Sequence, residues 1–172
     1  MLKKLVLVLI AVTLVGAVGC SKKTVVIDDK GTKATVDTSK ARQGETEIEM
    51  ETKEGKVKVS AKEGKPDNWP DDMPFYADAK VEAGTSMTGS TEEMSVSLNT
   101  TDDFDKVAAW YESELKSQGW TTEISTAQSG AGGAAKSQYI GVTKDDRQGA
   151  VIISDAADGK GVIIVITITK KQ

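Results

Sequence analysis

The chain contains no histidine and a single cysteine, Cys20. Without histidine it lacks the commonest general base near neutral pH and the commonest neutral metal ligand, and no Ser-His or Cys-His dyad can be built. With one cysteine no disulfide can close within the chain, and no cysteine cluster can hold zinc or iron–sulfur. Aromatic residues make up only 5%, so a core must be assembled from Val, Ile, Leu and Ala. Basic clusters are also scarce. Beyond Lys3-Lys4, basic residues adjoin only at Lys22-Lys23 and Lys170-Lys171, against 26 acidic side chains in all. Nucleic-acid binding needs clustered Lys and Arg and is excluded as an expectation. What is present fits one ordinary domain plus an appendage: 172 residues, 38% hydrophobic and 28% charged.

Residues 1–20 read MLKKLVLVLIAVTLVGAVGC. Lys3 and Lys4 form a positive start, Leu5 to Val15 is uncharged and apolar apart from Thr13, and small residues precede Cys20. That is the anatomy of a secretory signal, and it is short for a bilayer span, which needs about 20 apolar residues. Ala17-Val18-Gly19-Cys20 resembles the lipobox of bacterial lipoproteins, with Ala17 departing from the usual Leu. The resemblance implies cleavage by signal peptidase II before Cys20, a diacylglycerol on its thiol and an acyl chain on its new amine. Several chains anchor stably where one does not. Ser21 follows in place of Asp, which in that family goes with the outer membrane. The alternative is an ordinary cleaved signal followed by an incidental cysteine. Removing residues 1–19 leaves 20 basic against 26 acidic side chains, a formal charge of −6.

The stretch 20–65 is polar but alternates. Val25-Val26-Ile27, Ala34-Thr35-Val36, Ile48-Glu49-Met50 and Val57-Lys58-Val59 sit in period-two patterns, with turn signals at Asp29-Lys30-Gly31 and Lys53-Glu54-Gly55-Lys56. The reading is two hairpins or a short meander, with a flexible tether as the alternative. All three prolines fall in residues 66–74, which mark the boundary of a second region, 66–172. Trp69 and Phe75-Tyr76 flank this segment. They read as packing at the margin of the core, with carbohydrate stacking as the other use.

Region 66–172 is expected to be α+β: an antiparallel sheet of about five strands with one helix packed across it. Strand candidates are Ala79–Ala83, Met94–Leu98, Gln138–Thr143, Ala150–Ser154 and Val162–Thr169, the last β-branched throughout and expected to be central. Gly84–Thr91 reads as a loop. A helix from Asp102 to Gln118 carries the stripe Phe104, Val107, Ala108, Tyr111 and Leu115. Thr100-Thr101 are its cap candidates. Gly119 and Trp120 fit a Schellman ending in which Trp120 meets Leu115. Trp110 lies beside the stripe and reads as packing against the loop at 84–91, or as an anchor for a partner. The aromatic-proline segment, Ala109-Trp110-Tyr111 and Gly119-Trp120 together resemble a group of envelope lipoproteins of unassigned activity, in which Pro stands where this chain has Ala77.

No motif carries catalytic chemistry. Gly130-Ala131-Gly132-Gly133-Ala134-Ala135 fits the letters of a dinucleotide fingerprint but lacks the strand before it and the helix after it. The acidic pairs at 28–29, 71–72, 102–103 and 145–146 form no calcium loop, and Asp155 and Asp158 before Gly159 read as turn residues. Asn99-Thr100-Thr101 reads as the approach to the helix. No cofactor and no metal are expected, and no enzyme activity. The leading expectation is a membrane-anchored structural or interaction module, held by acyl chains on Cys20, whose partner is an envelope protein or the cell wall. The alternative is a small-molecule or lipid-binding module with Met87, Met94 and the aromatics lining a pocket. Intact mass spectrometry of protein recovered from envelopes is expected to show a chain starting at Cys20 with added acyl mass. A free Cys20 thiol with residues 1–19 still attached contradicts this.

Overall fold

The alternating segments pair into one sheet in a computed structural model, which describes residues 22–26, 33–37, 44–52, 55–89, 91–129 and 135–171. The signal segment with Cys20, the turn at 29–31 and most of the Gly-Ala loop, residues 130–134, lie outside the described residues. The elements are β1 (Lys22–Val26), β2 (Lys33–Asp37), β3 (Glu45–Thr52), β4 (Gly55–Lys62), β5 (Lys80–Thr88), β6 (Thr91–Thr100), α1 (Phe104–Ser117), β7 (Thr121–Ser129), β8 (Lys136–Lys144), β9 (Arg147–Asp155) and β10 (Val162–Lys171). The strand order is β1-β2-β3-β4-β5-β6-β10-β9-β8-β7, and every pairing is antiparallel.

The fold is therefore α+β with one helix among the described residues, but the sheet has ten strands where about five were expected. Two features account for the difference. First, the N-terminal meander continues the main sheet: β4 pairs with β5 from Lys58↔Thr88 to Lys62↔Gly84. The boundary expected at 65/66 falls in the connection between these paired strands. Second, Thr121–Ser129 forms an edge strand, β7, whose every residue is exposed. With no buried face it shows no apolar alternation to read.

The stretch 84–88, expected as loop, belongs to β5. A Cβ on Gly84 would stand 2.4 Å from the Gly64 carbonyl oxygen and 2.7 Å from Pro66 Cδ. Glycine is present there because another backbone crosses the strand closely. Gly149 on β9 serves the same purpose, since its Cβ would meet Met73 Cε at 2.8 Å. These two glycines let the segment 64–76 lie down on the sheet.

Helix α1 starts at Phe104, two residues later than expected. Asp103 is its N-cap and makes no side-chain capping bond. Thr100 Oγ1 instead accepts the Asp102 N–H at 3.2 Å, turning the chain ahead of the helix. The other end follows the expectation. Gly119 has φ +83°, the Trp120 N–H donates to the Leu115 carbonyl at 2.9 Å, and the Gly119 N–H donates to the Lys116 carbonyl at 3.1 Å. This is a Schellman ending.

The stripe Phe104, Val107, Ala108, Tyr111 and Leu115 is buried against the sheet. It meets Val96 and Leu98 of β6, Ile140 and Val142 of β8, Val151 and Ile153 of β9, and Val162, Ile164, Ile166 and Ile168 of β10 in one buried cluster. Strand β10 lies between β6 and β9, as its composition suggested, but only its even-numbered side chains are buried; Ile163 on the other face is 40% exposed. Leu115 has no exposed surface. Leu115→Ala is expected to lower stability by about 2–5 kcal/mol in urea unfolding monitored by circular dichroism. A cost below about 1 kcal/mol would mean this contact is not part of the core.

Candidate functional site

The aromatic residues singled out in the sequence are packing elements. Trp69 and Tyr76 are buried at 5% and 4% exposure, while Phe75 and Trp110 are partly buried against the core. The Trp69 and Phe75 rings lie 5.2 Å apart at 41°. Trp110 stands edge-on to Tyr76 at 5.1 Å and to Tyr111 at 4.8 Å. Trp110 therefore packs on the segment 66–76 and on its own helix neighbour, not on residues 84–91. The segment reaches it because the helix and the segment share the same side of the sheet.

Polar bonds complete this seam. The Trp69 Nε1–H donates to the Met73 carbonyl at 3.0 Å, and the Tyr76 N–H donates to the Tyr111 hydroxyl at 3.2 Å. The Tyr76 hydroxyl donates to Asp102 Oδ2 at 2.6 Å, and Lys106 Nζ reaches the same oxygen at 2.8 Å. Burial, with the Asp102 carboxylate beside it, pushes the Tyr76 phenol above its ordinary range. Protonated at neutral pH, the phenol holds the segment to Asp102 ahead of the helix through its hydrogen bond.

A second polar centre went unnoticed in the sequence. Asp72 receives Arg147 in a two-pronged pair at 2.7 Å and 2.7 Å, and Lys144 at 2.6 Å. Lys144 Nζ also donates to the Gln118 carbonyl at 2.6 Å, at the end of the helix. The Trp120 Nε1–H donates to the Asp72 carbonyl at 2.7 Å, and the Arg147 guanidinium sits 5.0 Å from the Trp120 ring centre. The cluster ties the proline-rich segment, the helix terminus and the β8–β9 hairpin together. Acid pairs occur throughout the sequence, so nothing marked Asp72 out from Asp71 before the fold brought Arg147 to it.

Two hollows open on the helix side. One, of about 650 Å³, lies where the helix begins: Asp102, Asp103 and Phe104 face Asp155 and the turn 156–161. Asp155 accepts the Lys136 N–H at 2.7 Å, and Lys136 Nζ pairs with Asp105 at 2.8 Å and stands 5.6 Å from the Phe104 ring centre. Asp158 accepts the Lys160 N–H at 3.0 Å, which is turn chemistry. The other hollow, of about 250 Å³, lies over β4–β6. Met87 and Met94 are among its lining residues with Lys58, Lys62 and Pro66 and no aromatic, although register turns the Met87 side chain to the opposite face of β5. Among the described residues no group of three or more metal-ligating side chains stands together, and no helix is long and apolar enough to cross a membrane.

The face of the sheet away from the helix carries the large apolar side chains that remain open. Ile124 on β7 is 50% exposed, Tyr139 on β8 and Ile152 on β9 are each 41% exposed, and Ile163 on β10 is 40% exposed. Register sets Tyr139 opposite Ile152, Ile152 opposite Val165, and Ile124 opposite Gly141. These residues alternate with the buried Gln138, Ile140, Val142, Val151 and Ile153, so a strict reading of period two would have found the patch.

A family model described as START domain-like matches residues 80–161, from β5 to the turn before β10. No curated protein and no solved structure matches the chain.

Asp72 yields a pH prediction. The paired Arg147, with Lys144 beside it, pulls the Asp72 carboxyl from 3.8 to about 2. A carboxyl depressed on folding contributes stability above its unfolded pKa and loses it as pH falls through the folded value. The wild-type chain is expected to lose about 1–2 kcal/mol between pH 4 and pH 2 that Asp72→Asn does not lose, read from urea midpoints. Parallel curves for the two proteins contradict the pairing.

Proposed function

We propose that the chain is a lipid-anchored module of the bacterial cell envelope that acts by binding a partner at its surface and not by catalysis. The observation that carries this is the division of its apolar surface. The space between helix and sheet is filled by side chains with essentially no exposure, among them Tyr111, Leu115, Ile140, Ile153 and Ile164. Four large apolar side chains stand open on the opposite face. Isolated exposed hydrophobic residues are ordinary, but a contiguous set spread over neighbouring strands is the mark of an interaction surface.

The anchoring part of the reading rests on residues 17–20, the lipobox-like Ala-Val-Gly-Cys, and Ser21 supports the outer membrane. Its absent histidine supports a role without acid–base catalysis. The partner is an envelope protein or the cell wall. A second reading, a module that binds a small molecule or lipid, is supported by the START-like match over 80–161 and by the cleft at the start of the helix.

Photo-crosslinking separates the two. With the crosslinker at position 152 in intact envelopes, one dominant adduct is expected that the same probe at exposed Lys116 does not give. Absence of any adduct at 152, together with a co-purified small molecule in the native mass spectrum, overturns the first reading in favour of the second.

A further inference from the structure

We propose that the N-terminal half of the sheet lies on the bilayer with its apolar face down. This inference rests on the lipid anchor proposed at Cys20 and assigns a surface to it. The cross-strand register sorts β2–β5 into two unlike faces. On the side that the helix occupies farther along the sheet, Glu45, Glu47, Glu49 and Glu51 of β3 stand opposite Lys62, Ser60, Lys58 and Lys56 of β4. On the other side Val36 stands opposite Ile48, Ile48 opposite Val59, Val59 opposite Met87, and Met50 opposite Val57. These six side chains are half-buried, and among the described helices and strands β3 and β4 make their substantial contacts with sheet neighbours; the proline-rich segment reaches β4 on the charged side, where Lys62 pairs with Asp67. The buried apolar residues have thus changed sides: toward the helix in β6, β8–β10 and at Val81 of β5, away from it in β2–β4 and, past the irregularity after Val81, at Met87 of β5.

The position of the anchor selects the occupant. Cys20 precedes β1, which begins at Lys22, by two residues. Two residues span at most about 7 Å, so the acyl chains hold the edge of this sheet against the headgroups. One side of β3–β4 carries a ladder of paired charges, costly to press into a membrane. The other is neutral and apolar, the side that an interface accepts. The second apolar patch, around Tyr139 and Ile152, cannot occupy the same plane. Strands in a sheet rotate by about 20–25° each, so the face turns through roughly 80–100° between β4 and β9, four strands apart in the order. A bilayer beneath β2–β5 leaves the Tyr139–Ile152 patch turned sideways and free.

Spin labels on the acylated full chain in phosphatidylethanolamine–phosphatidylglycerol vesicles test this. Ile48→Cys and Val59→Cys carry the label on the apolar side, Glu49→Cys and Ser60→Cys on the charged side. On vesicle binding, labels at 48 and 59 are expected to gain oxygen access and lose access to a water-soluble nickel chelate, several-fold each. Those at 49 and 60 keep their solution values. Labels at 48 and 59 that stay water-accessible on protein floating with vesicles overturn the proposal and leave the anchor standing. Protein that does not float overturns the anchor itself and the proposal with it. Shielding of 48 and 59 without vesicles, in a species of doubled mass, assigns the face to a second copy and also overturns it.

Discussion

Among the described residues, one fourteen-residue helix and one short proline-rich segment cover a ten-stranded sheet. A sheet of that many strands is about 45 Å across, whereas such a helix is about 21 Å long and about 10 Å wide. The cover cannot extend over the whole width. Where it lies, over β6 and β8–β10, the sheet presents Leu98, Ile140, Ile153, Ile164 and Ile166, all without exposed surface. Where it ends, the same side becomes the Glu–Lys ladder of β3 and β4. The limit of the cover decides which residues the sheet can carry on each face.

Because the cover is so small, it is held at several points. Gly84 and Gly149 open room for the segment 64–76, Met73 and Trp69 fill the space behind it, and Asp72 pins it through Arg147 and Lys144. Tyr76 joins it to the helix through Tyr111 and Asp102. Of these groups Asp102 also lines the hollow at the start of the helix. The bonds fix the two halves of the cover to each other and to the β8–β9 hairpin. The large apolar side chains left open stand on the far face, and every residue of the edge strand β7 is exposed.

Local signals were legible in the sequence wherever one side of an element is buried by its own cover. The helical stripe from Phe104 to Leu115, the Schellman ending at Gly119-Trp120 and the alternation of β6 all follow from short-range pattern. Strand β7 was not legible, because an edge strand with no buried side chain has no periodicity. The continuity of β4 with β5 was not legible either: pairing across the proline-rich segment depends on register between distant residues. Gly84 read as a loop residue because nothing nearby in the sequence announces that Pro66 will cross above it. Of the aromatic residues, Trp69, Phe75 and Tyr76 were legible as packing at the margin of the core, whereas Trp110 read as packing on residues 84–91 and instead meets Tyr76 and Tyr111. The Asp72–Arg147 pair spans 75 positions and carries no local mark. The open patch at Tyr139 and Ile152 was hidden inside strands whose apolar character was read without asking which phase faces out.

Amide hydrogen exchange on the Cys20→Ser chain, free of lipid, measures directly how far the cover reaches. Two tiers are expected: slow exchange in α1, β6, β8, β9 and β10, and markedly faster exchange in β1–β4, which lie outside the buried core formed by the described residues. Uniform slow exchange from β1 to β10 would mean that a second layer shields the N-terminal strands, and would contradict a sheet covered over only part of its width.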